Sequence, residues 1–170
     1  MVLATLLLCS SLAEAALHQE QKGPSQMRSE LINRVFNEFN KDTQHLLDEF
    51  YAQDVEFIDP INSLNGLNDL KAYYAKMYKN VLTISFDITN EVIEEDTHVI
   101  MWTMEMTVKK FNKGKPVTTH GNSVLRFNGE NKVVYHRDYF DMGEMLYKHL
   151  PVLGFLVKKA NAKLEKGDDE

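Results

Sequence analysis

The chain has 170 residues, of which 44% are hydrophobic and 26% are charged, and its formal net charge is −6. This length predicts one domain with one core, and the apolar content is too high for a disordered chain. The acidic balance argues against nucleic acid as a partner, because phosphate-binding surfaces need an excess of Lys and Arg. The single cysteine, Cys9, excludes an internal disulfide and a thiolate metal centre. No apolar run reaches the roughly 18 residues of a membrane-spanning helix.

Residues 1–26 are predicted to be an N-terminal extension. The apolar stretch 2–12 and the small residues at 13–15 resemble the hydrophobic region and cleavage site of a signal peptide. The usual basic start is missing, so an over-long start, with Met27 as the first functional residue, is the alternative. We expect a cytoplasmic location, or a periplasmic or secreted one if residues 1–16 are a cleaved signal peptide.

Three helical patterns come next. The first has an apolar residue at every fourth position, and we place its N-cap at Ser25. The second is short and is predicted to begin with Asp42 as its cap. The third opens at Gly66 and Asn68. Its wide apolar face consists of Leu70, Tyr73, Tyr74, Met77, Tyr78 and Val81.

Strand patterns follow these helices, apart from one short strand that ends at Pro60, before the third helix. From residue 83 the hydrophobic period is two, which predicts strands near 83–88, 99–111, 117–127 and 132–141. The dipeptide Asn128-Gly129 is a strong hairpin signal. Helical spacing returns near Met145 and is predicted to be interrupted at Pro151, and residues 161–170 are predicted to be a charged tail. This order predicts an α+β fold, with a curved antiparallel sheet wrapped around N-terminal helices and a C-terminal helical segment.

Three motifs carry a family resemblance: FYAQDVEFIDP at 50–60, Gly66-Leu67 entering a Tyr-rich helix, and HRDYFD at 136–141. Residues 27–160 resemble the SnoaL-like proteins of the nuclear transport factor two-like superfamily. The resemblance implies a cone-shaped α+β barrel, one apolar pocket between the helices and the concave face of the sheet, and a homodimer. That superfamily includes ketosteroid isomerases, polyketide cyclases, limonene-epoxide hydrolases and non-catalytic binding modules, so the fold does not decide the function.

Asp59 is the first candidate catalytic residue. It shares strand parity with two apolar residues, and a carboxylate on an apolar face is costly unless it is hydrogen-bonded or protonated. Asp before Pro also commonly caps a turn, which is the structural alternative. The resemblance favours a proton-shuttling role, since ketosteroid isomerases have such an Asp in a matching Asp-Pro motif. Their oxyanion-hole residues are not matched, because Val35 and Ser123 stand at those positions, so steroid isomerase activity is not expected.

Asp138 is the second candidate. The run Arg-Asp-Tyr-Phe-Asp resembles the catalytic run of the epoxide hydrolases, with Asp138 at the position of their catalytic Asp. Their Arg, second Asp, Tyr and Asn are replaced here. The residues at those four positions are Thr103, Glu105, Phe57 and Asp59. This resemblance leaves epoxide hydrolysis an outside alternative.

The sequence therefore predicts a pocket with three acid groups, Asp59, Glu105 and Asp138, as catalytic residues. We expect the substrate to contact Phe57, Thr103, Ser123, His136 and Tyr74. Carboxylates that converge in one apolar cavity repel one another unless at least one holds a proton, which points to proton transfer. The alternative is that they anchor water or pair with Arg137, Arg126 or a lysine. No metal site and no cofactor are expected.

Two functional hypotheses remain open. One is an enzyme that performs cofactor-independent acid–base chemistry, of isomerase, dehydratase or hydrolase type, on a small hydrophobic metabolite. The other is a non-catalytic module that binds a small ligand or supports dimerisation. The apolar segment 150–159 is predicted to close the mouth of the pocket or to lie in a dimer interface, with a membrane-surface anchor as the alternative.

Overall fold

The computed structural model describes residues 23–165. It contains helices α1 (Pro24–Glu38) and α2 (His45–Phe50), strands β1 (Tyr51–Ile58) and β2 (Ser63–Asn65), and helix α3 (Leu67–Tyr78). Four longer strands follow, β3 (Val81–Glu94), β4 (Thr97–Val108), β5 (Val117–Phe127) and β6 (Val133–Phe140). The chain ends in α4 (Met142–Met145), a 3₁₀ turn at Tyr147–His149 and α5 (Pro151–Glu165).

The α+β expectation is confirmed, and the six strands form one curved sheet in the order β2-β1-β6-β5-β4-β3. The sheet does not close on itself, so the cone-shaped barrel that the resemblance implies is not formed. All neighbouring strands are antiparallel except β1 and β6, which pair in parallel. This parallel pair brings the start of the domain beside its last strand, and the helices α1 to α3 cover one face of the sheet.

Several predicted boundaries differ from the structure. The N-cap of α1 is Gly23 rather than Ser25, because Pro24 takes the first helical position, where its missing N–H costs nothing. Asp42 does not cap α2, which begins three residues later, because residues 40–43 form a turn in which Thr43 Oγ1 accepts from Asn40 N at 2.8 Å. Pro151 begins α5 rather than interrupting a helix.

The core lies between the helices and the sheet. It is built from the buried faces of α1, α2 and α3 and from the inward positions of the strands, including Ile32, Leu47, Phe50, Val55, Leu70, Ile100, Leu125 and Val133. The expectations for residues 1–22 lie outside the described residues. Of the tail predicted at 161–170, residues 161–165 are helical and exposed, and the remainder is not described.

Candidate functional site

A cavity of about 380 Å³ lies between the helices and the sheet. Its size is at the lower end of the roughly 300–1,000 Å³ that small-molecule sites occupy. Aromatic, aliphatic and methionine side chains form most of its wall, and Asp59 and Asp138 are the two carboxylates on it. Ile61 and Met77 line the cavity and are also exposed, so they mark its opening to solvent.

A chain of hydrogen bonds holds the carboxylate of Asp138. It is formed by residues of the cavity wall and by Ser123, which lies behind the wall. Trp102 Nε1 donates to Ser123 Oγ at 2.9 Å, and Ser123 Oγ donates to Asp138 Oδ1 at 2.5 Å. The same Oδ1 lies 2.8 Å from His136 Nε2, and His136 Nδ1 lies 2.7 Å from the hydroxyl of Tyr51. The chain therefore joins β4, β5, β6 and β1, and its central members, Ser123 and His136, are buried.

The donors and acceptors of this chain are all satisfied when His136 is neutral. An indole N–H can only donate, so the Ser123 hydroxyl is free to donate to Asp138. An ionised Asp138 accepts a second bond when His136 carries its proton on Nε2, and His136 Nδ1 then accepts from Tyr51. In this arrangement a neutral His136 lies between an anionic Asp138 and a neutral Tyr51. Among the described residues, Asp138 Oδ2 receives no hydrogen bond, so it is available to a ligand.

Three tyrosines of the wall, Tyr51, Tyr74 and Tyr78, titrate well above the ordinary range. Burial is the main reason that each pKa is raised, since the ionised phenolate would lose its hydration. The negative charge of Asp138 raises all three pKa values further. The wall therefore holds these hydroxyls in their neutral, donating form across the physiological range.

Asp59 is tied into the turn after β1. Its Oδ1 accepts from the backbone N–H groups of Ile61 and Asn62, both at 2.7 Å, and its Oδ2 accepts from Tyr73 OH at 2.5 Å. The pKa of Tyr73 is raised by burial first and then by this hydrogen bond and charge. The turn-capping alternative is thus confirmed, and Asp59 also borders the cavity. Both oxygens of Asp59 are therefore engaged, whereas only Oδ1 of Asp138 is hydrogen-bonded among the described residues.

Asp59 and Asp138 also border a smaller recess of about 210 Å³, together with Arg137. The structure therefore brings these two predicted carboxylates together. The suggested pairing with Arg137 is not observed: the ion pairs among residues 23–165 do not include it, and its guanidinium carbon lies 4.8 Å from the centre of the Tyr139 ring.

The predicted substrate-contacting residues fall into two groups. Phe57, Tyr74 and His136 line the cavity, and the Phe57 ring centre lies 5.0 Å from that of His136 and 5.8 Å from that of Tyr74. Ser123 does not reach the wall but holds Asp138 from behind. Phe57, Tyr74 and His136 therefore lie on the wall and Ser123 lies behind it, and contact of any of them with a substrate stays a prediction.

The predicted inward placement of Glu105 and Thr103 is wrong. Trp102, Met104 and Met106 are the residues of β4 that line the cavity, and side chains alternate along a strand. Thr103 and Glu105 therefore project from the opposite face, where Glu105 is exposed. A shift of one residue in the family alignment reverses the face of a strand, which is the origin of the error. The alternation of apolar residues from Ile100 to Met106 indicates the correct inward-facing positions of this strand.

Two members of the site were not predicted. Tyr51 and Trp102 are not among the predicted site residues, yet Tyr51 holds His136 and Trp102 holds Ser123. Both are aromatic residues with a polar atom, and such residues find a hydrogen-bond partner when they are buried. This rule could have indicated from the sequence that Tyr51 and Trp102 take part in a hydrogen-bonded site. Within residues 23–165 no cluster of three or more His, Cys, Asp or Glu side chains is arranged to hold a metal ion.

The comparison with protein families decides the classification. A model described as the SnoaL-like domain matches residues 32–136, from α1 to the middle of β6. The chain belongs to the SnoaL-like family. No curated protein sequence matches it.

Solved structures similar to this SnoaL-like protein include a putative SnoaL-like polyketide cyclase from Jannaschia sp. CCS1, with 15% identity, a TM-score of 0.66 and coverage of 77% of this chain and 96% of that chain. A ketosteroid isomerase-like protein from Catenulispora acidiphila, solved with trimethylamine, has 17% identity, a TM-score of 0.62 and coverage of 72% and 91%. An epoxide hydrolase from M. tuberculosis, similar to limonene-epoxide hydrolase, has 14% identity, a TM-score of 0.60 and coverage of 80% and 96%. At these identities the likeness concerns the fold.

Proposed function

We propose that this SnoaL-like protein binds a small apolar molecule in the cavity and moves a proton to or from it through Asp138, without a cofactor. The observation that carries the proposal is the hydrogen-bonding of Asp138. Both bonds from Ser123 and His136 reach Oδ1, so the second oxygen of the carboxylate is left for the ligand. A base oriented in this way needs no rearrangement before it reacts.

The proposed step is compatible with the bonds around Asp138. A proton taken from the ligand adds to Oδ2, while Oδ1 continues to accept from Ser123 and from His136. The same carboxylic acid then returns the proton to a second atom of the ligand, as in an isomerisation, or to a leaving group. Asp59, held by Tyr73 and by the turn, acts as a neighbouring polar group rather than as the base.

A second candidate function is a binding module without catalysis. It is favoured by the inward residues of β4, since Trp102, Met104 and Met106 supply neither the Arg nor the second carboxylate that activates water in the epoxide hydrolases. In that case the cavity would hold a ligand and Asp138 would only hydrogen-bond to it.

A generic proton-abstraction probe separates the two. In 5-nitrobenzisoxazole a base removes the proton on C3 as the N–O bond breaks, and the coloured cyanophenolate that forms is followed by absorbance. We expect saturable turnover that falls about 100-fold or more in Asp138→Asn, the usual range for a general base. Glu105→Gln is the matched control, because Glu105 is exposed on the other face of the sheet.

Binding of the probe is measured independently through Trp102, the only tryptophan of the chain and a residue of the cavity wall. A change in Trp102 fluorescence on binding, without turnover that depends on Asp138, would support the binding module. Equal turnover in Asp138→Asn and in the native protein would refute the role of this carboxylate.

A further inference from the structure

The last helix, α5, has no contact with the core. None of its residues is buried, and the 3₁₀ turn at Tyr147–His149 provides its main contact with the rest of the chain. Large apolar side chains at its start are open to solvent, with exposed fractions of 72% for Val152, 66% for Phe155 and 53% for Leu156. A helix of this length is marginal in water without a surface to pack against.

This position corrects the expectation that the segment closes the pocket. The cavity is lined by Met145 and Leu146, which precede α5, and by no residue of α5 itself. The apolar side chains of α5 therefore neither line the cavity nor form part of the core.

The positive charge of α5 indicates what kind of surface the helix could bind. Within α5 itself, Lys158, Lys159 and Lys163 outnumber the one acid, Glu165. The five residues that follow add one lysine and three acids, so the excess of positive charge belongs to the helix. The apolar residues occupy the first two turns, and Lys158 and Lys159 directly follow them. Exposed aromatic and aliphatic residues combined with lysines are typical of helices that lie in the interface of an anionic bilayer.

A second copy of the chain fits this helix less well. In a contact between two α5 helices, Glu165 of each copy would be the one acid that these helices offer to the lysines of the other. An anionic bilayer instead supplies an apolar layer for Val152, Phe155 and Leu156 and negative headgroups for the lysines. Long lysine side chains reach such headgroups while their helix lies at the boundary.

We propose that α5 docks the protein on an anionic lipid surface, with Val152, Phe155 and Leu156 inserted below the headgroups. Leu146, on the wall of the cavity, lies five residues before the start of α5. Docking therefore holds the cavity close to the bilayer, where apolar molecules concentrate. This last link rests on the proposed function, whereas the docking itself does not. Within residues 23–165 no helix is long and apolar enough to cross a membrane.

Flotation with vesicles tests the docking in the full-length chain. Vesicles of phosphatidylcholine alone are compared with vesicles that also contain phosphatidylglycerol, at low and high salt. We expect binding to the anionic vesicles that weakens with salt, because salt screens the attraction between the lysines and the negative headgroups. The double variant Phe155→Ser with Leu156→Ser, and the triple variant with Lys158, Lys159 and Lys163 changed to Gln, are each expected to bind at least about tenfold more weakly.

Matched controls carry the same chemical change elsewhere. The double variant Leu82→Ser with Val92→Ser removes two apolar side chains that are 62% and 52% exposed on β3. Changing Lys109, Lys110 and Lys113 to Gln removes three exposed charges near the β4–β5 turn. Residues 1–22 are the same in every variant, so any affinity of that segment is common to all. The controls are expected to bind like the native protein.

Several outcomes would overturn the docking: no binding, equal binding to neutral and anionic vesicles, or equal loss in the α5 variants and their controls. A dimer in lipid-free buffer that dissociates in the Phe155/Leu156 variant would also overturn it, because a second copy would then cover the helix. Asp138→Asn separates the two proposals, since it is expected to bind vesicles normally whether or not Asp138 acts as a base.

Discussion

The substitution Gly121→Ala tests how tightly Trp102, which holds Ser123, is packed beside the site. Gly121 lies opposite Trp102 on β4 and opposite Phe140 on β6. A Cβ atom added there would collide with Trp102 Cη2, would lie 2.6 Å from Trp102 Cζ2 and would lie 2.8 Å from the backbone oxygen of Tyr139. The backbone oxygen cannot move without disturbing the sheet, so in Gly121→Ala the indole has to give way.

The expected cost follows from two contributions. Forcing a methyl group into a packed region destabilises by about 1–3 kcal/mol, and loss of the hydrogen bond from Trp102 to Ser123 adds about 1 kcal/mol. We therefore expect Gly121→Ala to lower the free energy of unfolding by about 3 kcal/mol. For a chain of this size that corresponds to a fall in Tm of roughly 6–12 °C.

Chemical denaturation followed by circular dichroism measures the loss, and Trp102 fluorescence reports whether the indole has moved. Gly129→Ala is the control, since nothing lies within 4 Å of its added Cβ, and its effect is expected to stay within about 0.5 kcal/mol. The reasoning is refuted if Gly121→Ala unfolds at the same denaturant concentration as the native protein with an unchanged emission spectrum.

Two further predictions concern the tyrosines of the site. Tyr51→Phe leaves the buried Nδ1 of His136 without its donor and is expected to cost about 1–3 kcal/mol in urea denaturation. Tyr139→Phe, at a ring that is 44% exposed, is expected to cost less than about 0.5 kcal/mol, and equal costs would contradict the hydrogen-bond chain. Because the folded state raises the pKa values of Tyr51, Tyr74 and Tyr78, stability is retained below the ordinary pKa of tyrosine, near 10, and is lost above it. Between pH 9 and 11 we expect a loss of about 1 kcal/mol for each, measured by denaturant titration at each pH. An unchanged free energy of unfolding would contradict their burial as neutral groups.

The local patterns of the chain predicted most of the elements. Period-two alternation identified β3 to β6, and β5 matched its predicted span of 117–127. The parallel pairing of β1 with β6 was not predicted, because strand order depends on contacts between distant segments rather than on local periodicity. The short strand β2 was not predicted, because three residues are too few to show an alternation of apolar and polar side chains.

The site was predictable to the extent that its residues lie on the strand carrying the motif. His136 and Asp138 are two residues apart on β6, so their shared face followed from the alternation of side chains. Glu105 was misplaced because an alignment to distant relatives fixed its register, whereas the hydrophobic phase of β4 would have placed it outside. The partners Tyr51 and Trp102 come from other strands, and only the folded sheet brings them to the last one.

The hydrogen bond from Tyr51 to His136 joins residues 85 positions apart, across the parallel contact of β1 with β6. Because β6 is the last strand in the chain, the edge of β1 that it covers can be paired only after β6 has been synthesised. Contacts between such distant segments slow folding and prolong the time during which open edges can aggregate. A chain that ends after β5 would lack both the completed sheet and Asp138, so the proposed base is added together with the strand that completes the fold.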